Sequence, residues 1–392
     1  MKICVLLTRT LTKETFLAHR TLNEGIHVSD NERFILDVIR REGSISQSRV
    51  GQLSHLTQQS THRIISALLA RDLLQAGPPA SGAGRGKPSP SLQLAARTVF
   101  SVGIAINTDC AILSLTALDC ELVEEVRFRF PPLSRQTTLE RLSTALDRVC
   151  VRNGVDKASL IGVGFSINGY FVANRRQINA PEPLRDWSLI DLQPLLEETF
   201  GLPVWIENSV SAAAVGESLC GAGRWARSFV YLGFNYGFGG GLVIEGKPFF
   251  GANGNAGELS SILTREEQEV RPALRYLLEM LQEQGVDVDS IEDISLRFDP
   301  RWPGVDAWVD RVMPCLNRII NSLSGILDPQ AIVFGGQLPV ALGEALMARV
   351  EYWGGDRYGI TATRPSLVMG QQSCDAAARG AALIPLRACF FL

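Results

Sequence analysis

The fold of the chain is decided by residues 204–258, which read VWIENSVSAAAVGESLCGAGRWARSFVYLGFNYGFGGGLVIEGKPFFGANGNAGE. An apolar strand ends at Asn208, a helix of small residues begins at Val210, and a β-rich run from Phe229 leads into the glycine turn Gly237–Gly241. Glycine tolerates positive φ and carries no side chain, so strands joined by a glycine turn can bring their backbone close to a phosphate or a sugar. A plain hairpin turn has the same composition. The spacing of the whole stretch is therefore the more specific signal.

The composition is that of a globular protein. The 392 residues are enough for two or three domains, with a hydrophobic content of 46% and 20% charged residues. No run of about 18 apolar residues is present, and Arg9, Lys13 and Glu14 interrupt the apolar start before it could act as a secretory signal. The 8 cysteines contain no CxxC pair, which favours reduced thiols. We therefore expect a cytoplasmic protein without membrane contact.

Charge is divided unevenly along the chain. Residues 1–97 hold 13 lysines and arginines against 7 acidic residues, whereas the remaining residues hold 25 against 34. All 4 histidines also lie in the first part. A basic head on an acidic body predicts contact with nucleic acid through the head alone.

The head shows the pattern of three short helices. Asp30 is predicted to cap the first, Ser46 or Ser48 to begin the second, and Thr57 to cap the third. One face of the third helix is apolar, which is typical of packing against the other two. A three-helix bundle with a solvated face gives the same pattern, but a helix-turn-helix would place the polar face in the major groove of DNA. The candidate base-contacting residues on that face are Gln58, Gln59, Ser60, His62 and Arg63.

A segment rich in Gly, Pro and Ser follows at 77–91, between two short apolar runs. It predicts the hairpin of a winged helix, with Arg85 and Lys87 at the tip for contact with phosphates or the minor groove. An interdomain linker has the same composition, and the two interpretations are compatible.

From Thr98 onward strands and helices alternate, which predicts an α/β fold with its sheets covered by helices. Beyond Glu258 the pattern is mostly helical. The predicted helices lie at 137–151, 189–200, 266–284, 302–326, 340–350 and 374–386.

The spacing of residues 204–258, together with the head and its Gly84-Arg-Gly-Lys-Pro88 element, resembles the ROK family of bacterial sugar kinases and sugar-responsive repressors. The resemblance covers about residues 30–390. It implies an N-terminal arm at 1–29, an all-α winged helix-turn-helix domain at 30–97, and an actin-like, sugar-kinase-like two-lobed body at 98–392. It also implies a sugar pocket framed by polar residues, to which we expect Glu258 to be delivered by a flexible glycine segment. The candidate ligand-binding residues are Gly169, Asn179, Asn208 and Glu258.

Three devices of the family's kinases are altered in this chain. Ala105 matches the aspartate of the phosphate-binding turn, and Ser209 matches the aspartate that acts as general base on the sugar hydroxyl. Ser261 matches the histidine of the Glu-x-Gly-His motif, and residues 262–276 contain no cysteine for a structural zinc. The sequence therefore predicts no catalytic residue, no cofactor and no metal.

The favoured interpretation is a DNA-binding transcriptional regulator of the repressor type. It would bind an operator in double-stranded DNA as a homodimer or homotetramer and respond to a small-molecule carbohydrate effector. One alternative is a sugar kinase with an extra helical domain, and another is a DNA-binding oligomer whose body has lost its ligand. We further expect the head to fold separately from the body, so that changes at Glu258 leave DNA binding untouched.

Overall fold

The computed structural model describes residues 27–79, 90–129, 134–355, 357–371 and 375–392. Most of the predicted N-terminal arm lies outside these ranges, as do Arg85 and Lys87 of the predicted wing tip. Over the ranges described, every helix is too short or too polar to cross a membrane.

The head consists of three helices and a small antiparallel sheet, in the order β1-β3-β2. Ser29, rather than the predicted Asp30, caps the first helix, because its extended backbone lets it form a capping box with Glu32. Ser46 and Thr57 cap the next two helices through their side-chain oxygens. The apolar runs around the predicted wing pair as a hairpin. The elements are α1 Asp30–Glu42, β1 Ile45–Ser46, α2 Gln47–Leu53, α3 Gln58–Ala70, β2 Leu74–Pro79 and β3 Pro90–Leu94.

The first lobe of the body is built on a mixed sheet of order β10-β7-β4-β5-β6. Strands β4, β5 and β6 form an antiparallel meander, whereas β7 runs parallel to both β4 and β10. Helices α4 and α5 cover one face of this sheet and bury Leu142 and Leu196 there. The elements are β4 Phe100–Ile106, β5 Cys110–Ala117, β6 Leu122–Arg129, α4 Arg135–Asn153, β7 Leu160–Ile167, β8 Tyr170–Val172, β9 Gln177–Asn179, α5 Leu192–Phe200 and β10 Val204–Asn208.

The second lobe is built on a sheet of order β13-β12-β11-β14-β15. Helices α8, α9, α10 and α11 bury their apolar faces on one side of it, around the fully buried Trp308. The elements are α6 Ser209–Cys220, β11 Phe229–Phe234, β12 Phe238–Ile244, β13 Lys247–Phe249, α7 Arg265–Gln268, α8 Leu274–Glu283, α9 Ile291–Arg297, α10 Val305–Leu327, β14 Ala331–Gly336, α11 Val340–Ala348, β15 Ser366–Met369 and α12 Ala376–Phe390.

Two helices of small residues, α6 and α12, lie between the two sheets. A Cβ added to Gly103 of β4 would lie 2.0 Å from the carbonyl of Ala378, and one added to Gly380 would lie 2.0 Å from the carbonyl of Ala212. Larger side chains would force these elements apart. The small residues predicted near the end of the chain therefore set the spacing between the lobes.

The prediction of one continuous helix at 266–284 is wrong. The structure has α7 and α8 in that range, separated by residues 269–273. Pro272, which lacks an N–H and disfavours helical geometry in the residue before it, lies in this break.

The expectation that the head folds separately is also wrong. Ile35, Leu36 and Ile39 of α1 share one apolar core with Phe390 and Phe391 at the end of α12. The side chain of Arg33 reaches the same end of α12, where its Nε donates to the carbonyl of Phe391 at 3.1 Å. The first and last described helices therefore complete each other's packing.

A second contact between head and body lies at the end of α6. Arg40 donates to the carbonyl of Leu219, and its Nε and Nη2 both donate to one carboxylate oxygen of Asp37, at 3.1 and 2.8 Å. Arg40 is 8% exposed and Asp37 is 2% exposed. A buried ion pair of this kind is costly to break, because one charge would remain without a partner.

Candidate ligand cleft and DNA-binding helix

Helix α3 separates an apolar face from a polar one, as predicted. Thr61, Ile65 and Leu68 are buried against the other two helices. Among the candidate DNA-contacting residues, Gln58, Gln59, His62 and Arg63 are exposed, whereas Ser60 is half-buried and accepts a hydrogen bond from Thr57. The exposed side chains of α3 stand together on one face, and their contact with bases stays a prediction. Arg85 and Lys87 lie outside the described residues.

All four candidate ligand-binding residues line one cleft between the lobes, with a volume of about 250 Å³. They come from four separate segments of the chain, and the fold brings them together. The cleft is lined by Asn168, Gly169, Tyr170, Asn179, Ala180, Pro181, Asn208, Val210, Asn235, Tyr236, Gly237, Phe238, Gly239, Gly240, Gly257, Glu258, Arg271 and Arg275.

Asn208 uses both ends of its amide to hold the cleft together. Its oxygen caps α6 by accepting from the N–H of Val210 at 2.8 Å, and its nitrogen donates to the carbonyl of Gly169. Gly169 has φ +138°, and a Cβ at this position would lie 2.5 Å from the carbonyl of Asn179. Asn208 and Gly169 therefore shape the wall of the cleft by packing and hydrogen bonding.

Asn179 presents a polar edge beside this wall. Its amide nitrogen donates to the hydroxyl of Tyr170 at 2.6 Å, and its oxygen accepts from Ser188 at 3.4 Å. Tyr170 is 44% exposed, so this pair can exchange its hydrogen bonds with a ligand.

Glu258 is the acidic residue of the cleft lining. Partial burial raises the pKa of its carboxyl group above the usual value. Within the described ranges, the structure records no hydrogen bond to this carboxylate. A partly desolvated carboxylate without a donor is suited to accept hydroxyl groups from a ligand.

The segment that carries Glu258 is held in place, which corrects the expectation of a flexible approach. Asn255 accepts from the N–H of Phe171 at 2.7 Å and donates to its carbonyl at 2.8 Å. A Cβ on Gly257, which has φ +101°, would lie 2.0 Å from the carbonyl of Gly240. The glycines therefore permit close packing, and Glu258 is fixed in the cleft.

The glycine turn Gly237–Gly241 also permits close packing. A Cβ on Gly241 would lie 2.5 Å from that of Ala214 in α6, and one on Gly240 would lie 2.9 Å from Leu259. Strand β12 thus packs directly on α6, while Gly237, Gly239 and Gly240 also reach the cleft.

Two arginines of the cleft were missed by the sequence analysis. Arg271 and Arg275 both line it, beside Tyr236 and Asn235. Arg275 stacks over the ring of Tyr276 at 4.5 Å and donates to its hydroxyl at 2.6 Å. Their spacing of four residues, within the same 262–276 segment that lacks cysteine, was the available signal.

The two positions that match the kinase aspartates are buried. Ala105 lies fully buried within β4, and Ser209 is 1% exposed with a hydroxyl that has no hydrogen-bond partner in the described ranges. The turn after β4 is closed by a hydrogen bond from the N–H of Asn107 to the carbonyl of Cys110 at 2.9 Å. The Asn107 side chain also donates to Asp375, the N-cap of α12, at 2.8 Å.

The lobes are joined by ion pairs near this turn. Arg127 of β6 lies 2.7 Å from Glu292 of α9, whose N–H donates to Asp109 at 3.2 Å. Glu292 is only 3% exposed. These contacts tie the first lobe to the second on the side of the turn that would hold a phosphate in a kinase.

The segment that matches the zinc site of the kinases has its own support. The Thr264 side chain and Glu267 form a capping box at α7, and Arg318 of α10 lies 2.7 Å from Glu267. Among the described residues, no three His, Cys, Asp or Glu side chains are grouped closely enough to hold a metal ion.

An ion pair with one buried member lies at the end of β10. Glu207, at the end of β10, is paired with Arg175. Burial raises the pKa of Glu207 to about 7, against the opposing effect of the Arg175 guanidinium. A larger cavity of about 540 Å³ lies between β6 and α4, and none of the candidate residues lines it.

Comparison with known proteins supports both halves of this architecture. Residues 101–270 match the family model described as the ROK family. The chain is 27% identical to the uncharacterized protein y4fQ of Sinorhizobium fredii over 327 residues, or 82% of each chain. It is 25% identical to the xylose repressor of Bacillus spizizenii over 230 residues, or 58% of this chain and 59% of the repressor.

Solved structures confirm the predicted fold. A ROK family transcriptional regulator, a homologue of the Escherichia coli MLC protein, has a TM-score of 0.67 at 19% identity and covers 92% of this chain and 96% of its own. The ROK hexokinase of Thermus thermophilus has a TM-score of 0.53 at 23% identity, over 73% of this chain and 97% of its own. The two-lobed body thus has a sugar-kinase-like fold, and the head is a winged helix-turn-helix. Residues 101–270 of the chain are thus similar in sequence to the ROK family, and the whole described chain is similar in fold to its members.

Proposed function

We propose that the chain is a transcriptional regulator that binds operator DNA through its head and responds to a carbohydrate bound in the cleft of its body. The observation that carries the proposal is the coexistence of an exposed polar face on α3 with a polar cleft in a body that has Ala105 and the buried Ser209 at the two positions that match the kinase aspartates. The name of the Bacillus spizizenii relative, a xylose repressor, agrees with this function.

On the DNA side, α3 would enter the major groove with Gln58, Gln59, His62 and Arg63 facing the bases. Arg and Gln can form paired hydrogen bonds with guanine and adenine. Arg85 and Lys87 would contact the DNA backbone. A homodimer or homotetramer would place two such helices on one operator.

On the ligand side, Asn179 and Glu258 would contact the sugar hydroxyls, while Asn208 and Gly169 would keep the wall in place. A carboxylate forms charge-assisted hydrogen bonds that are each worth about 1.5–3 kcal/mol. Glu258→Gln keeps the shape of the side chain and removes its charge. We therefore expect this variant to bind effector roughly 10- to 100-fold more weakly.

The body is proposed to be inactive as a kinase. A hydroxyl group that attacks a phosphoryl group needs a nearby base, and a buried serine cannot accept its proton. The closed turn after β4 and the Arg127–Glu292 pair occupy the side on which a nucleotide phosphate would have to approach.

The contacts between head and body provide a route for the response. A ligand in the cleft would lie beside Asn208, which caps the start of α6, and the other end of α6 accepts the hydrogen bond from Arg40. Helix α12 packs along α6 and ends against Arg33. A shift of these two helices would therefore change the position of α1, and with it that of α3.

The test combines three measurements on the full chain. Selection from random duplexes gives a preferred DNA site, and fluorescence anisotropy measures its release by a panel of sugars. A coupled assay with the same sugars measures ATP consumption. We expect selective DNA binding, release by at least one sugar, and no turnover. Sugar-dependent ATP consumption would support the kinase alternative instead, and selective DNA binding unaffected by every sugar would support the ligand-independent oligomer.

A further inference from the structure

The cleft carries two positive charges that its protein surroundings do not neutralise. The recorded contacts of Arg271 and Arg275 within the described ranges are with neutral groups. Arg271 donates to the carbonyl of Gln268 at 2.5 Å, and Arg275 donates to the hydroxyl of Tyr276. Glu258 is the acidic residue in the lining, and it lies beyond ion-pair distance of both arginines. The cleft therefore has an excess of positive charge.

Aromatic rings hold the two guanidinium groups near each other. Arg271 and Arg275 lie 5.6 and 4.5 Å from the centroid of the same Tyr276 ring, and Arg275 lies 5.7 Å from that of Tyr236. Stacking on a ring fixes the plane of a guanidinium and leaves its edge free for a bidentate partner. Two like charges at one ring repel each other, and an anion between them would remove that repulsion.

Arg275 also lacks a partner for one of its donors. Its Nε–H is buried and has no hydrogen-bond partner within the described ranges. A buried N–H of a charged group without an acceptor is unfavourable, and most such groups in proteins are satisfied. The Arg275 side chain thus belongs to a site in which a bound ligand would supply the missing hydrogen-bond acceptor.

On this basis, which rests on the function proposed above, we infer that the effector carries an anionic substituent, a carboxylate or a phosphate, and that Arg271 and Arg275 bind it. The sugar ring would lie toward Asn179 and Glu258, and its charged group toward the start of α8. The two arginines would then act as specificity residues, because a neutral sugar would leave both guanidiniums without an anion.

Inorganic phosphate tests the anion site without any assumption about the sugar. Thermal unfolding of the full chain is compared in sodium phosphate and in sodium chloride at equal ionic strength. We expect phosphate to raise the Tm of the wild type and of Arg311→Gln, an exposed arginine outside the cleft. The double variant Arg271→Gln/Arg275→Gln should lose this increase. An equal increase in the double variant, or none in the wild type, would overturn the inference.

Calorimetry with glucose, glucuronate and glucose 6-phosphate then separates the two sources of charge. Tighter binding of glucuronate indicates a carboxylate, and tighter binding of glucose 6-phosphate indicates a phosphate. We expect at least about a tenfold preference over glucose, lost in the double variant. Equal binding of glucose and both derivatives would overturn the inference, and if none of the three binds, the phosphate comparison decides. Operator binding is measured separately, so that a failure of the regulatory function and a failure of the anion site give different results.

Discussion

Replacing Arg40 by alanine tests whether the head depends on the body. Arg40 and Asp37 are both almost fully buried, and Arg40 also donates to Leu219 at the end of α6. Loss of one partner of a buried ion pair typically costs about 3–5 kcal/mol. Here Arg41 also pairs with Asp37, at 2.5 Å, and would still neutralise part of the negative charge of the Asp37 carboxylate after Arg40 is removed. We therefore expect Arg40→Ala to lower the free energy of unfolding by about 2–4 kcal/mol.

Arg41→Ala provides the matched control. It removes the other arginine of the same carboxylate, but its side chain is 50% exposed and makes no recorded contact with α6. Pairs involving an exposed partner contribute roughly 0–1 kcal/mol. The two variants thus differ mainly in the contact with the body.

Urea denaturation followed separately in the head and the body distinguishes the outcomes. A fluorophore attached on α3 reports on the head, and intrinsic tryptophan fluorescence reports on the body, which contains all 6 tryptophans. We expect coincident transitions in the wild type and an earlier head transition in Arg40→Ala. Equal effects of Arg40→Ala and Arg41→Ala, or a head that already unfolds first in the wild type, would refute the shared core as a source of head stability.

Three further results are expected. The pKa of Glu207 is about 7 in the folded state, above the value of about 4.5 for an unperturbed glutamate, so the folded state binds the Glu207 proton more tightly than the unfolded state does. The free energy of unfolding should therefore fall by up to about 3 kcal/mol as the pH rises from about 4.5 to 7. Urea unfolding measured across this pH range should show the decrease in the wild type and not in Glu207→Gln. Arg63→Ala should cost about 1–3 kcal/mol on the preferred duplex and blur specificity, while Lys87→Ala should weaken all duplexes alike; equal effects on specific and random DNA in both would exclude α3 as the base-contacting helix. Ser209→Asp should not create ATP turnover with any sugar, because the closed turn after β4 remains, and measurable turnover would show that the base alone was missing.

Local signals in the sequence predicted much of the fold. The cap at Thr57 and the apolar face of α3 depend on neighbours within two helical turns, and the structure agrees with both. The break at Pro272 is an equally local signal that the helical spacing on either side concealed. The four candidate ligand-binding residues came from the family resemblance, and the structure gathers them at one cleft.

Contacts between distant segments could not be predicted in this way. Nothing in the sequence around Arg33 indicates that it will meet the carbonyl of Phe391, 358 residues away. The glycines before Glu258 were interpreted as flexible because their close neighbours, such as Gly240, belong to another segment. Arg271 and Arg275 were overlooked because their segment was examined for zinc ligands, whereas only the folded chain places them in the cleft.

The packing of α12 on α1 also has a consequence for synthesis. Helix α1 leaves the ribosome early, but its apolar face is covered by Phe390 and Phe391, which are added last among the residues it contacts. At a translation rate of about 5–20 residues per second, the intervening segment takes roughly 20–70 seconds to make. During that time the nascent head has an incomplete core, whatever has already folded behind it. A chain released before residue 390 would therefore carry a head whose apolar core is incomplete.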